Sequence, residues 1–216
     1  MNGLILIPAR KNSRRLKKKN KKIFLGKPLI CHTFEFAKKI YPVNKILLST
    51  DDPEILELGY KYNILSPWLR PYKFSRDNSK SIEFTIHAIK WYEKNFGKID
   101  YLVLLQPTSP FRNLKTFKNM FSIFVKNKKV SIAHASKKIN LGKKIFYIEN
   151  EKILNSGEKK FTKMNITGNI YINSKKNLFK YKDFVNKETF FYLTNSERQS
   201  IDIDTKKDWN KAKRLI

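Results

Sequence analysis

The residues best suited to chemistry sit near the two ends of the chain. Arg10 follows directly on an apolar run, Leu4-Ile5-Leu6-Ile7, and Lys19-Asn20 returns nine to ten residues later. A buried strand that empties into a basic, polar loop is how an α/β sheet offers cations and backbone N–H groups to a phosphate ligand. The spacing of these cations suits a nucleoside triphosphate. Near the other end, Ile201-Asp202-Ile203-Asp204 alternates apolar with acidic. In an extended strand residues i and i+2 share a face, so both carboxylates aim at one spot while both isoleucines enter the core. Two carboxylates held together repel unless a cation lies between them, and Mg²⁺ takes one or two carboxylates plus phosphate oxygens. Between these ends, Gln106-Pro107-Thr108-Ser109-Pro110 sets an amide and two hydroxyls on a rigid turn suited to a polar ligand. Arg70 and Asp77 share an irregular loop, where they could read a base or pair with each other.

Each grouping has a plainer alternative: a solvated basic turn, a capped turn with Asp204 or Thr205 as the cap, an ordinary loop. The chain lacks both the glycine-rich P-loop ending in Lys-Ser/Thr and the dinucleotide fingerprint, which argues against an ordinary kinase or dehydrogenase. His32, His87 and His134 show no ligand spacing and read as structural or surface residues. Cys31, beside Leu29 and Ile30, reads as a buried helix position. No Ser/His/Asp or Cys/His arrangement indicates a covalent nucleophile.

The elements that must hold these residues alternate strand and helix. Residues 3–7 predict a core strand and 28–40 a helix with Pro28 at its first position. Residues 45–49 predict a second strand, and Asp51 or Asp52 caps a helix running to about Tyr62. A loop over 68–78 leads to a helix opened by Ser79 or Ser81, then a strand over 101–105, a helix to about Val125 and a strand over 130–135. Residues 137–165, with Gly142 and Gly157, break the rhythm and carry a hairpin signal across Glu149-Asn150-Glu151. The core resumes as a strand over 168–173, a short final strand over 201–204, and a last helix capped by Thr205. The pattern predicts an α/β fold, a doubly wound and mostly parallel sheet of Rossmann type with a small β excursion.

The 216 residues suit one domain spanning 1–216. No stretch of eighteen apolar residues predicts a membrane span, and Leu4–Ile7 is too short for a secretory h-region. One cysteine excludes an internal disulfide and fits a reducing compartment, hence a cytoplasmic expectation. The net charge of +28 comes from 46 lysines and arginines, of which only eight are arginine, spread along the whole chain. That distribution predicts a solvated lysine coat with weak, non-specific affinity for polyanions, not a specific nucleic-acid reader.

Several motifs fall in order along the sequence. They are Ile7-Pro8-Ala9-Arg10-Lys11-Asn12-Ser13-Arg14, Lys19-Asn20, Leu25-Gly26-Lys27-Pro28-Leu29, Ser49-Thr50-Asp51, and Arg70-Pro71 with Asp77. Leu105 to Pro110 with Arg112, Gly168 with Ile170-Tyr171-Ile172, and Ile201 to Thr205 with Asp208 complete the series. Together they resemble the acylneuraminate cytidylyltransferases, also called CMP-sialic acid synthetases, over almost the whole chain.

The resemblance implies a nucleotide-diphospho-sugar transferase-like fold. It also implies a reaction in which CTP and a nine-carbon 2-keto sugar acid give a CMP-sugar and pyrophosphate, assisted by Mg²⁺. By that resemblance Arg10 and Lys19 hold the triphosphate, with Ser13 beside them. Asn20, Arg70 and Ser81 contact the nucleoside, and Gln106, Thr108 and Ser109 the sugar acid. Asp202 and Asp204 bind the metal, and Asp204 joins Arg10 and Lys19 as catalytic. Family members are typically homodimers, which makes 137–165 the expected dimerisation arm. Here that arm offers Lys159, Lys160 and Lys163 in place of an Arg-Gln pair, while Arg15 replaces a common glycine and Thr167 the usual Asn. These departures leave open which nonulosonic acid is used. A CMP-Kdo-type synthetase and a basic polyanion-binding protein on a degenerate nucleotidyltransferase fold are the alternatives.

Overall fold

Strand β1 (Gly3–Ala9) is buried on both faces, and its alternate side chains enter different cores. Ile5 and Ile7 pack on one side of the sheet with Ile30 and Phe34, while Leu4 and Leu6 pack on the other with Ile82 and Ile89. A strand apolar throughout demands cover on both faces, and helices supply it. The computed structural model describes residues 1–76, 78–126, 131–136, 146–149, 152–154 and 162–216. Asp77, Val130, Gly142, Gly157, Lys159 and Lys160 lie outside the described residues, as does most of the expected arm.

After β1 come a two-strand hairpin, β2 (Ile23–Phe24) and β3 (Lys27–Pro28), and helix α1 (Leu29–Ile40). Next are β4 (Ile46–Thr50), α2 (Pro53–Lys61), α3 (Ser81–Phe96), β5 (Tyr101–Leu104), α4 (Leu114–Lys126) and β6 (Ser131–Ser136). The remainder comprises β7 (Phe146–Glu149), β8 (Lys152–Leu154), β9 (Thr162–Ser174), α5 (Lys175–Tyr181), β10 (Thr189–Thr194), α6 (Glu197–Ser200) and α7 (Lys206–Lys213). The sheet order is β4-β1-β5-β9-β6-β10-β8-β7. Strands β4, β1, β5, β6 and β10 run one way, and β9 runs against its neighbours β5 and β6. Helices α1 and α4 cover one face, and α3 and α5 the other. The expected doubly wound, mostly parallel sheet is the one found.

Several local expectations are corrected. Pro28 is not the first residue of α1 but its cap, because Lys27-Pro28 pairs back onto Ile23-Phe24 through a turn with Leu25 and Gly26 at φ 49° and 80°. The cap expected of Asp51 or Asp52 is found, and it is Asp52, accepting from the Glu54 backbone N–H at 3.1 Å. Residues 201–204 form no strand: their alternation is kept as burial of Ile201 and Ile203 with Asp202 and Asp204 partly exposed, and Ile203 N–H donates to the Thr108 carbonyl at 2.8 Å. The last core strand is instead β10, whose Thr-Phe-Phe-Tyr-Leu-Thr run pairs in parallel with β6. The hairpin β7–β8 is present and stays hydrogen-bonded to the main sheet through β9 and β10. Among the described residues, no helix is long and apolar enough to cross a membrane.

Candidate active site

Three parallel strands, β1, β4 and β5, lie side by side, and the residues that follow β1 and β5 reach one cleft, the position where open α/β sheets bind ligands. The cavity there measures about 640 Å³, within the range of small-molecule sites. Arg10, Ser13, Lys19 and Asn20 of the first loop line it, with Arg70, Ser81, Gln106, Thr108, Asp202 and Asp204.

The first loop is held in shape from within. Its return runs through a short 3-10 turn over Lys19–Lys21, entered by Lys18 in left-handed conformation with φ 52°. That turn buries Lys19 and Asn20, and the Asn20 amide donates to the Arg10 carbonyl at 3.3 Å. Arg10 Nε donates to the Asn12 carbonyl at 3.0 Å, which aims the guanidinium along the loop. Asp51, just past β4, accepts the Lys11 backbone N–H at 2.9 Å and Arg70 Nη2 at 3.3 Å, so one carboxylate braces two walls. Arg70 is buried, lies 4.8 Å from the centre of the Phe84 ring and donates Nε to Ser75 Oγ at 3.0 Å. Burial pulls its pKa down and the Asp51 carboxylate opposes that shift; a guanidinium stays charged regardless.

The two acids reach the same cavity because their neighbours build a small apolar core. Ile201 and Ile203 pack with Leu16, Phe24, Leu29, Trp209 and Ala212, fastening the C-terminal segment to the first loop. Phe24 meets Trp209 edge-on with ring centres 5.2 Å apart. Asp204 then faces the loop: Lys19 Nζ lies 2.7 Å from Oδ1, and Arg15 Nη2 lies 2.7 Å from Oδ2. Thr205 and Asp208 cap α7 reciprocally, which fixes the turn directly after Asp204.

The remaining wall is organised by Arg112. Its Nε donates to the Asn169 carbonyl at 2.8 Å, Nη1 to Ser109 O at 2.6 Å and Thr33 Oγ1 at 2.9 Å, and Nη2 to the Gln106 carbonyl. One guanidinium thus pins the turn after β5 to β9 and α1. Gly168, at φ 71°, lets β9 pass the Gln106 side chain: a Cβ there would fall 2.3 Å from Gln106 Oε1. Behind it His134 is fully buried, its Nδ1 2.7 Å from Thr167 Oγ1. Burial, and secondarily the Arg112 charge, pushes its pKa down to about 4.

Of the residues expected at the site, only Ser109 is not on the cavity wall. It is fully buried and its hydroxyl donates to the Thr167 carbonyl at 3.3 Å, because the Pro110 turn carries it inward. Arg70 pairs with Asp51. The sequence reading gave no site role to Arg14, Arg15, Arg76, Phe74 and Phe84, which also line the cavity. Arg112 appeared only within a motif; its four-way role had no local signal.

Comparison with known proteins agrees with this geometry. The family model described as Cytidylyltransferase matches residues 4–216. A CMP-N,N'-diacetyllegionaminic acid synthase from Legionella pneumophila is 34% identical over 100% of this chain and 97% of its own length. A pseudaminic acid cytidylyltransferase from Campylobacter jejuni is 32% identical over 74% of this chain and 70% of its own. Among solved structures, a CMP:2-keto-3-deoxy-manno-octonic acid synthetase complexed with CTP superposes with a TM-score of 0.73 at 17% identity, covering 100% of this chain and 98% of that one, a likeness of fold. Matched almost from end to end, with its charged loop and its acid pair facing one cleft, the chain belongs to the cytidylyltransferase family.

Proposed function

We propose that this enzyme activates a nonulosonic acid with CTP, releasing pyrophosphate and forming the CMP-sugar. The observation that carries the reading is that Arg10, Lys19 and the Asp202/Asp204 pair, far apart in sequence, line a single cavity. Phosphoryl transfer asks a protein for positioning and charge neutralisation, and cations, carboxylates and hydrogen-bonding side chains are what this cavity offers. Arg10, Lys19 and Ser13 bind the triphosphate; Asn20, Arg70 and Ser81 bind the nucleoside; Gln106 and Thr108 face the sugar acid. The anomeric hydroxyl attacks the α-phosphorus in line as the bond to the β-phosphate oxygen breaks. Its proton passes to a carboxylate of the acid pair. Arg10 and Lys19 steady the charge that builds on the departing pyrophosphate.

Asp202 and Asp204 are an all-oxygen donor set suited to Mg²⁺. Among the described residues no group of three or more His, Cys, Asp or Glu side chains gathers at one point. Such a pair fits an ion that takes its other ligands from water and the triphosphate. When bound, Mg²⁺ supplies charge neutralisation at the phosphates. The chain works as a homodimer in this reading, with residues 137–165 as the arm.

Pyrophosphate release from CTP, with legionaminic, pseudaminic, sialic or Kdo acid, with and without Mg²⁺, tests the proposal. Mg²⁺-dependent turnover with a nine-carbon acid is expected. Turnover with Kdo alone overturns the acceptor assignment. Silence on all four, with tight DNA binding at physiological salt, overturns the enzyme in favour of a polyanion binder.

A further inference from the structure

Two cations that meet the Asp204 carboxylate differ in character. Lys19 approaches Oδ1 at 2.7 Å with a side chain 11% exposed, fixed in the 3-10 turn. Arg15 approaches Oδ2 at the same distance with a side chain 66% exposed. The first contact is part of the cavity wall. The second is a solvent-screened pair at the cavity mouth, the class of ion pair that is weak and readily exchanged.

This arrangement conflicts with a divalent ion on the same carboxylate. Such an ion would share the carboxylate with Arg15 and meet the guanidinium charge at short range. A triphosphate resolves the conflict, since it brings several negative charges to the cavity that Arg15 also lines. We propose that Arg15 is a displaceable counter-ion. It neutralises Asp204 in the ligand-free protein and leaves that carboxylate for phosphate oxygens when metal and nucleotide arrive, so that the two bind cooperatively. Planar guanidinium suits both partners, because carboxylate and phosphate present the same paired oxygens. The proposal rests on the reading that Asp204 holds the metal.

Mn²⁺ binding to the full chain, followed by electron paramagnetic resonance with and without CTP, tests it. Without nucleotide, Arg15→Ala should bind Mn²⁺ about threefold more tightly than wild type, the scale of one exposed ion pair. Lys17→Ala removes the same charge from the same loop and should change affinity less than twofold, a smaller, screened effect. With CTP present the gain in Arg15→Ala should disappear, and Arg15→Lys should fall between it and wild type. Equal effects of Arg15→Ala and Lys17→Ala, or a gain that persists with CTP, overturn the counter-ion. Saturable Mn²⁺ binding that Asp204→Asn leaves unchanged, or none in any form, overturns the metal assignment itself and the counter-ion with it.

Discussion

The two walls of the cavity are built on opposite principles. On one side, ion pairs hold the wall: Lys19 and Arg15 of the first loop on Asp204 of the C-terminal segment, and Arg70 on Asp51 beside the first loop. Their charges face the ligand and can exchange partners with it. On the other side, Arg112 spends its hydrogen bonds on Asn169, Ser109, Thr33 and Gln106, and offers little to a ligand directly. The first wall is a reactive surface and the second a frame. A polyanion that changes charge during reaction needs the former; an acceptor that must approach along one line needs the latter.

Substitutions separate the two walls. The largest effect is expected at the charged wall: Asp204→Asn and Arg10→Ala should each lower kcat by roughly 100- to 1,000-fold, the scale of losing one transition-state contact. Circular dichroism and melting should stay near wild type in both, and near-normal turnover of either would remove that residue from the mechanism. In the frame, Arg112→Met strands the carbonyls of Gln106, Ser109 and Asn169 and should cost about 3 kcal/mol of stability, read by urea denaturation. A loss of activity without loss of stability there would make Arg112 a ligand-facing group and erase the contrast.

Gly168→Ala should cost about 2 kcal/mol, since it combines a left-handed backbone with a close approach to Gln106 Oε1. Steady-state kinetics should show a raised KM for the sugar acid and an unchanged KM for CTP. His134 supplies a pH signature of the frame. Its folded pKa of about 4 lies below the ordinary 6.5, so the unfolded chain binds the proton more readily between those values. Stability contributed by this group is therefore intact above pH 6.5 and lost as pH falls towards 4, by about 2 kcal/mol between pH 7 and 5. Thermal melts of His134→Asn should show that much less acid sensitivity than wild type. The smallest effect belongs to Lys17→Ala, a change outside both walls, where stability should move by less than about 0.5 kcal/mol and turnover by less than twofold.

What could be read directly from the chain was whatever depends on neighbouring residues. The apolar run Leu4–Ile7 gave a strand buried on both faces, Asp52-Pro53-Glu54 a capped helix start, and Thr205 the cap of the last helix. The alternation of Asp202 and Asp204 with two isoleucines put both acids towards one cavity, although the segment joins no sheet. Leu25-Gly26 carried a hairpin signal too brief to stand out, and the Thr-Phe-Phe-Tyr-Leu-Thr run of β10 carried a strand signal that the sequence analysis did not use.

Tertiary structure alone decided what lies opposite what. Leu16, Phe24 and Leu29 had to find Ile201, Ile203 and Trp209 before the first loop could face the acids, and burial of apolar surface is non-directional, so no local pattern announces its partner. The same holds for Arg112, whose partners sit on α1, β9 and the turn after β5. A sequence specifies which groups can carry charge or hydrogen bonds; which of them meet is settled by how the cores close around them.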